Sequence, residues 1–273
     1  MSQDSVYRRV LNWIFFDITH IDKEIVGVYA RFFQNKLKSY LTSEFDLSSE
    51  MWHWERHFHE SFIRTGLPPT YCSLLPTCKE SIQYSINELK KQFSGTLKFI
   101  EVGCGPNSQF NSNSILNDSK IEVITVDPLA DTYTELHKMY QSEHKIPCLK
   151  GYGESLDQMF PESSFHLVYT QNAIDHSQNP CKFINNLYKI LKPNCFLILH
   201  GFIKEGTAAH WLGLHQWDIF VENDDLILTN KTKSIHEVLT KKFSTELINK
   251  NVTGNEVGSM YTMIYKKKSV AFE

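Results

Sequence analysis

The sequence FIEVGCGPN, at residues 99–107, decides the fold of this chain. Its apolar first half is typical of a short buried strand, and it leads directly into Gly103 and Gly105. Glycine has no side chain, so the backbone of such a turn can approach a ligand closely. A second apolar run, IEVITV at residues 121–126, ends in Asp127. Ligands bind at the carboxyl ends of the strands of an open parallel sheet, and we expect the turn and this carboxylate to meet there.

Strand-like and helix-like stretches alternate along the chain after Asp127. We predict, in order, a helix at 128–140, strands at 147–150 and 164–172, a helix at 181–191 and a strand at 195–200. This alternation is typical of βαβ units and a parallel sheet. It stops after residue 200, where we predict a helix at 208–214, a hairpin that pairs 217–221 with 226–228, a helix at 234–239 and strands at 243–248 and 259–265. The sequence therefore predicts an α/β, Rossmann-like fold with a seven-stranded, mostly parallel sheet and helices on both faces.

The organisation of the chain follows from where this alternation begins and ends. Residues 1–95 are helix-compatible and rich in large aromatic side chains, so we predict an N-terminal helical cap there. The α/β domain is predicted to span residues 96–273, with a small inserted segment at about 202–240, after the fifth strand.

The composition is that of an ordinary globular protein of 273 residues, 41% hydrophobic and 22% charged, with a net charge of −3. The small negative charge argues against a nucleic-acid partner. The longest apolar stretches, such as residues 10–16, are too short to span a bilayer. The six cysteines include no C-x-x-C pair, as expected for free thiols in a reducing compartment. We therefore expect a cytoplasmic protein without a membrane span; the oligomeric state stays open.

The motif at residues 101–107 identifies the family that this chain resembles. Class I S-adenosylmethionine-dependent methyltransferases carry acid-x-Gly-x-Gly-x-Gly here, and this chain has Glu101, Gly103 and Gly105, with Asn107 in place of the third glycine. Asparagine tolerates left-handed backbone better than other non-glycine residues, so the turn can survive this replacement. The family's order of segments is matched from about residue 98 to residue 200.

Three further segments, residues 126–130, 172–176 and 213–217, resemble one group within that family. It comprises type-11-like small-molecule methyltransferases, often met among bacterial genes for capsule and surface-sugar modification. The resemblance implies S-adenosyl-L-methionine as cofactor and S-adenosyl-L-homocysteine as product. It also implies methylation, with an oxygen acceptor favoured, of a small polar or sugar- or phosphate-containing molecule in capsule polysaccharide biosynthesis.

The resemblance also implies where the cofactor binds. The acid and the glycines of the motif would line its methionine portion, Asp127 would take the ribose hydroxyls, and Asn172 would lie near the methionine. Either Gly153 and Glu154 would read the adenine, or Tyr152, which stands in place of the family's usual acid, would stack on it. The implied cofactor residues are Glu101, Gly103, Cys104, Gly105, Asn107, Asp127, Pro128, Leu129, Gly153, Glu154 and Asn172.

Polar residues after the fourth strand are candidates for the chemistry. Removing a hydroxyl proton near neutral pH needs a base, for which histidine is the usual choice. We predict His176 as this base and Asp175 as its orienting or substrate-binding partner, with His200 and His215 converging on the same acceptor. Alternatively, Asp175 or His176 only caps the next helix. Three histidines and an aspartate also resemble a divalent metal site, but their spacing is not that of a short zinc motif, so we assign no metal ligand.

The run at residues 51–60 contains the candidates for acceptor binding. Arg56 and His57 could reach an anionic acceptor if the cap covers the site, as N-terminal segments of this family commonly do, and Tyr133 is a third candidate. The aromatic residues Trp52 and Trp54 of the same run are more typical of core anchors.

Other functions stay open at this point. An NAD-dependent oxidoreductase is disfavoured, since Ser108 stands where the dinucleotide fingerprint has its third glycine. A non-catalytic, cofactor-binding member is a second alternative, because Asn107 and Tyr152 depart from the pattern. A methyltransferase acting on nitrogen or on a macromolecule is a third; residues 172–175 lack the Asn-Pro-Pro-Tyr-like motif of many such enzymes.

Overall fold

The computed structural model describes residues 56, 59–60, 63–64, 76–142, 146–211, 213–233, 235–239, 243–254 and 256–269. The strands are β1 Leu97–Val102, β2 Ile121–Asp127, β3 Cys148–Lys150, β4 Phe165–Gln171, β5 Leu191–Phe202, β6 Trp217–Glu222, β7 Asp225–Asn230, β8 His236–Val238, β9 Thr245–Val252 and β10 Met260–Lys267. The helices are α1 Pro76–Gln92, α2 Asn113–Leu116, α3 Ala130–Met139, α4 Leu156–Met159, α5 Pro180–Ile190 and α6 Glu205–Ala208, with a 3₁₀ turn at Gly153–Ser155.

Seven of the strands form one sheet in the order β3-β2-β1-β4-β5-β10-β9. The first five of these run parallel to one another, and β10 is antiparallel to both β5 and β9. The chain reverses its direction of strand addition between β1 and β4, and such a switch point opens a crevice at the carboxyl ends of the strands. The predicted seven-stranded, mostly parallel Rossmann-like sheet is confirmed.

The sheet is covered by helices because its central strands are buried almost throughout. Every side chain of β4 is buried, and β1 exposes only one of its six residues. Helix α1 buries Ile82, Ile86 and Leu89 in the same core, and α5 buries Ile184 and Leu187. A central strand that is buried on both faces can exist only under two such layers.

The segment between β5 and β9 forms a second sheet of three antiparallel strands, in the order β6-β7-β8. The predicted hairpin is present, and Glu222 faces Asp225 across a two-residue turn. Asn223 and Asp224 have φ values of 48° and 70°, which is the left-handed backbone that short hairpins of this twist require. Leu226 and Leu228 join this sheet to the main core.

Two helix predictions in this inserted segment are wrong. The predicted helix at 208–214 is instead α6, which ends at Ala208, because His210 and Trp211 adopt left-handed backbone with φ values of 54° and 59°. The predicted helix at 234–239 contains the strand β8, which pairs with β7. Tertiary pairing with an available strand edge outweighs the helical spacing of a short polar segment.

Strand β5 is longer than expected. The predicted strand at 195–200 extends to Leu191–Phe202, so residues 192–194 also belong to it. Asn194 has a φ of 62°, and the pairing of β4 with β5 shifts register between Phe165 and Leu167. The chain therefore enters the sheet through an irregularity rather than after a separate turn.

The predicted boundary at residue 95 falls after α1, whose apolar face belongs to the core of the α/β sheet. The described residues from 56 onward belong to one compact unit. Within the described part of the chain, no helix is both long and apolar enough to cross a membrane.

Candidate active site

The glycine turn after β1 adopts the backbone that its sequence requires. Gly103 and Gly105 have φ values of 72° and 59°, in the left-handed region that favours glycine. Asn107 is not in that region, so no glycine is needed at the third position, and the tolerance of asparagine for left-handed backbone is not used. The Gly103 N–H donates to the Val126 carbonyl at 2.8 Å and so ties the turn to β2.

Glu101 organises this turn from inside. Its carboxylate is buried and accepts hydrogen bonds from the Ser108 hydroxyl and, at 3.0 Å, from the Gln109 N–H. Burial raises the pKa of Glu101 to about 8, although the hydrogen bonds from Ser108 and Gln109 act in the opposite direction. The acid of the motif thus closes its own loop.

Asp127, at the end of β2, joins the turn to the next loop. One carboxylate oxygen accepts from the Gly105 N–H at 3.0 Å, and the other accepts from the Leu129 N–H at 2.9 Å. A third fixed point comes from α3, where the Nε2 of His137 lies 2.9 Å from the Pro106 carbonyl. A carbonyl can only accept, so this nitrogen of His137 carries the hydrogen.

The residues proposed for adenine follow the neighbouring strand, β3. Lys150 of β3 is the register partner of Asp127, and Tyr152, two residues further on, is 45% exposed. Glu154 accepts hydrogen bonds from the N–H groups of Gln178 and Asn179, at 2.8 Å and 3.2 Å, in front of α5. Of the two candidates for adenine recognition, Tyr152 is thus the exposed one, and Glu154 holds the backbone ahead of a helix.

The other predicted cofactor residues lie in or beside the same loops. Gly153 is buried, and a Cβ there would lie 2.1 Å from the Phe183 ring. Pro128 and Leu129 are half-buried after Asp127. Cys104 is buried with its Sγ 3.3 Å from the Cys148 Sγ, both thiols are free, and burial raises the pKa of Cys104 above its ordinary value.

These features fit S-adenosyl-L-methionine. Two glycines with left-handed backbone leave the turn without side chains, a carboxylate lies against that turn, and an exposed tyrosine ring follows on the next strand. They supply a close backbone approach, an acceptor for ribose hydroxyls and an aromatic wall for adenine. The glycine turn and Asp127 are in direct contact. Both must lie close together if they bind one nucleoside.

A cluster of titratable side chains lies after β4. The Nδ1 of His215 is 2.7 Å from Asp175 Oδ2 and 3.1 Å from His176 Nε2. The His176 Nε2 is also 3.5 Å from Asp175 Oδ2, and Glu205 Oε2 lies 3.5 Å from His215 Nδ1. The structure therefore brings together three of the four predicted catalytic residues and adds Glu205.

The pKa values of the two carboxylates in this cluster shift in opposite directions. Burial alone would raise the pKa of Asp175, but the charge of His176 and the hydrogen bond with His215 hold it below its ordinary value. Burial raises the pKa of Glu205 to about 7, opposed by His215 and assisted by the negative charges of Asp175 and Asp218. Asp175 is thus the carboxylate that pairs with the imidazoles.

Local packing connects this cluster to the glycine turn. A Cβ built on Gly103 would lie 2.2 Å from the Cβ of Ala173, so the loop after β4 rests directly on the turn. Asn172, with a φ of 47°, accepts a hydrogen bond from the Phe202 N–H and fixes the start of this loop to β5. The indole N–H of Trp217 donates to the Ser177 carbonyl at 2.9 Å and brings in the segment that carries His215.

His200 occupies a different environment from the other histidines. It is buried in β5 with its Nδ1 2.8 Å from the Thr262 hydroxyl, and burial lowers its pKa to about 4. It is not one of the residues whose ligand atoms converge near Asp175 in the described part of the chain. A neutral imidazole that is buried inside the sheet is typical of a structural role. The catalytic role of His200 stays a prediction.

The predicted acceptor residues are only partly described. Arg56 is half-buried, and His57 lies outside the described residues. Tyr133 is buried with Ile63 and packs edge-on against the His59 ring, with 5.4 Å between ring centres. The His59 ring lies beside the glycine turn, since a Cβ on Gly105 would be 3.6 Å from its Cε1.

Sequence reasoning missed Glu205, Ser108 and His137. Ser108 had been noted only as an absent glycine, although its hydroxyl donates to the acid seven residues earlier. Glu205 and His137 have no sequence signal, because their partners are brought to them only by the folded chain.

We predict that Gly103→Ala weakens both the fold and cofactor binding. The new Cβ would meet Ala173 and force left-handed backbone on a non-glycine residue, which costs about 2–4 kcal/mol. Urea unfolding should show this loss, and titration calorimetry should show at least tenfold weaker binding of S-adenosyl-L-methionine. The matched control is Gly95→Ala, where the added Cβ meets open space. Equal behaviour of the two variants would contradict the role given to the turn.

We also predict that Glu101 makes stability depend on pH. A folded-state pKa of about 8, against an ordinary 4.5, means that the protonated carboxyl favours the fold. This contribution is present below the unfolded pKa and is lost as the pH rises through the folded pKa. Between about pH 5 and pH 8, unfolding free energies should fall more steeply for the wild type than for Glu101→Gln, by a few kcal/mol. Parallel pH profiles in urea unfolding would refute this.

The chain is similar to known methyltransferases. Residues 100–199 match the family model described as "Methyltransferase domain". The chain is 25% identical over 189 residues to the ubiquinone biosynthesis O-methyltransferase of Rhodopseudomonas palustris, covering 64% of this chain and 66% of that protein. It is 21% identical over 194 residues to the chloroplastic tocopherol O-methyltransferase of Arabidopsis thaliana, covering 67% of this chain and 54% of that protein.

The chain thus spans between about half and two thirds of the length of these curated relatives. Among solved structures, the N-methyltransferase NodS from Bradyrhizobium japonicum, in complex with S-adenosyl-L-homocysteine, matches with a TM-score of 0.44 at 9% identity and covers 70% of this chain and 85% of that one. The family match spans β1 to β5 and includes the glycine turn, Asp127 and the loop after β4. Residues 100–199 of this chain therefore match a methyltransferase domain, and this match supports S-adenosyl-L-methionine as the cofactor.

Proposed function

We propose that the protein transfers a methyl group from S-adenosyl-L-methionine to a hydroxyl oxygen of a small polar acceptor. The observation that carries this proposal is the contact between Gly103 and Ala173, which puts the proposed cofactor turn against the loop that bears Asp175 and His176. A methyltransferase must hold cofactor and acceptor at one point, because its main contribution is alignment. The names of both curated relatives specify O-methyltransferases, which supports oxygen as the acceptor atom.

When bound, the cofactor supplies a methyl group on a positively charged sulfur, which the acceptor oxygen takes by in-line displacement. Gly103 and Gly105 would leave room for its methionine portion, and Asp127 would accept from the ribose hydroxyls. Tyr152 would pack against the adenine, since it is exposed and lies two residues beyond the register partner of Asp127. Asn172 positions the loop that meets the methionine, because its side chain holds the backbone at Phe202.

The cluster after β4 handles the acceptor's proton. With no metal ion bound, His176 accepts the proton as the acceptor's O–H bond breaks. Asp175 stabilises the positive charge that forms on the imidazole of His176. His215 links the two, since its Nδ1 contacts both. The side chains of His176 and His215 are 21% and 26% exposed, so an acceptor can reach them from solvent.

We propose a sugar- or phosphate-containing acceptor of bacterial capsule polysaccharide biosynthesis. Arg56, His57 and Tyr133 are the candidate contacts for such a molecule. The position of His59 beside Gly105 supports this assignment, because it brings the segment that contains Arg56 to the glycine turn.

Titration calorimetry with S-adenosyl-L-methionine, S-adenosyl-L-homocysteine and NAD tests the proposal at the level of the cofactor. We expect both sulfur nucleosides to bind and NAD to give no heat, because the turn lacks the third glycine of the dinucleotide fingerprint. Heat with NAD alone would replace the proposal by an oxidoreductase. Binding of the nucleosides without turnover of any acceptor would favour a non-catalytic member.

We predict that His176→Ala lowers kcat by about 10²–10⁴-fold while the affinity for S-adenosyl-L-methionine stays unchanged, because a base acts on the acceptor and not on the cofactor. Formation of S-adenosyl-L-homocysteine would be measured with a panel of hydroxyl-bearing sugars and nucleotide sugars. His236→Ala is the matched control, since His236 is exposed on β8, away from the residues assigned to the site. Unchanged turnover in His176→Ala would remove this residue from the mechanism.

A further inference from the structure

Three potential metal-ligand atoms converge between β4 and the inserted segment. Asp175 Oδ2, His176 Nε2 and His215 Nδ1 all lie within 4.8 Å of one another. A fourth oxygen, Glu205 Oε2, lies 3.5 Å from His215 Nδ1. The four side chains come from the loop after β4, from α6 and from the segment before β6, so only the folded chain assembles them.

The distances among Asp175 Oδ2, His176 Nε2 and His215 Nδ1 are close to those around a tetrahedral metal. Zinc binds histidine nitrogen and carboxylate oxygen at about 2.0–2.2 Å, so neighbouring ligand atoms lie about 3.3 Å apart. The observed separations are 3.1 Å between the two imidazole nitrogens, and 2.7 Å and 3.5 Å from these nitrogens to Asp175. Small side-chain shifts would complete the coordination.

One hydrogen on His215 Nδ1 cannot point at all of its neighbours at once. His215 Nδ1 lies within 3.5 Å of Asp175, His176 and Glu205, and a ring nitrogen carries at most one hydrogen. Hydrogens on both facing nitrogens would meet head to head across 3.1 Å. A single cation among Asp175 Oδ2, His176 Nε2 and His215 Nδ1 would interact favourably with all three.

The charge of the surroundings favours a cation. Asp175 and Glu205 are mostly buried, and Asp218 adds a third carboxylate that acts on Glu205. In the described part of the chain, the ion pairs of Asp175 and Glu205 involve histidine, and no lysine or arginine joins them. The side chains of the cluster are between 8% and 26% exposed, which leaves an entry path.

We propose that Asp175, His176 and His215 bind a divalent transition metal ion, with Zn²⁺ as the best match and the fourth position open. Two imidazole nitrogens favour zinc and cobalt over magnesium or calcium, which prefer all-oxygen sites. This set differs from a short zinc motif because its members come from distant parts of the sequence.

The chemical consequence of such an ion rests on the proposed function, whereas metal binding itself does not. A cation at this point would bind the acceptor oxygen and lower the pKa of its hydroxyl, so that the proton leaves to solvent and the imidazoles act as ligands. The methyl group and the electron pair of the breaking carbon–sulfur bond would move as in the metal-free protein. The test therefore uses metal binding, measured without cofactor or acceptor.

The test is a metal titration of the full chain after dialysis against a chelator. Co²⁺ serves as the probe because its visible absorption reports tetrahedral coordination, and competition with Zn²⁺ gives the affinity for zinc. We expect one equivalent per chain, with affinity at least tenfold weaker in His176→Ala and in His215→Ala. Asp175→Asn keeps the shape of the side chain and still accepts from His215, so it tests the ligand charge even if an alanine variant unfolds.

Two controls separate this site from other histidines. His53→Ala tests the histidine-rich run at residues 51–60, and His236→Ala tests an exposed histidine. Both should bind Co²⁺ as the wild type does. Absence of a tetrahedral Co²⁺ spectrum in the wild type, or equal affinity in all variants, would overturn the metal site. Either result would leave methyl transfer intact, whereas failure of nucleoside binding would overturn the proposed function and leave the metal site standing.

Discussion

The hydrogen bonds of Asp127 are the constraint on which the rest of this site depends. Its two carboxylate oxygens accept from Gly105 and from Leu129, and so hold the turn after β1 and the start of α3 at one point. A carboxylate that accepts backbone N–H groups is fixed in place, because moving it would leave buried donors without a partner. The same residue thus closes two loops and faces the crevice at the switch point of the sheet.

Glu101 is a second buried acid that holds the same turn as Asp127. Glu101 holds the far end of the turn through Ser108 and Gln109, and its raised pKa reflects how completely it is withdrawn from water. The two acids fix the glycine turn from opposite sides. Ala173 then rests against Gly103, so the position of the loop after β4 is set by the same turn. The two acids thus fix the glycine turn, and the glycine turn fixes the loop that carries Asp175 and His176.

The fold was predictable to the extent that burial determines it. The strands β1, β2 and β4 are rich in large apolar and β-branched residues, and such runs have few alternatives to the inside of a parallel sheet. The inserted segment was less predictable, because its elements are short and half-exposed. The segment of β8 has the helical spacing that we expected, but the free edge of β7 offered hydrogen bonds that a helix in water could not match.

The sequence by itself determined the seven-stranded sheet, the glycine turn and the carboxylate beside it, because apolar runs and glycines act locally. It also placed Asp175 and His176 at the end of a strand. Only the tertiary structure decided that His215 and Glu205 join them while His200 stays inside the sheet. The physical reason is distance along the chain: a contact across 40 residues depends on how the inserted segment folds back, and no local pattern records that.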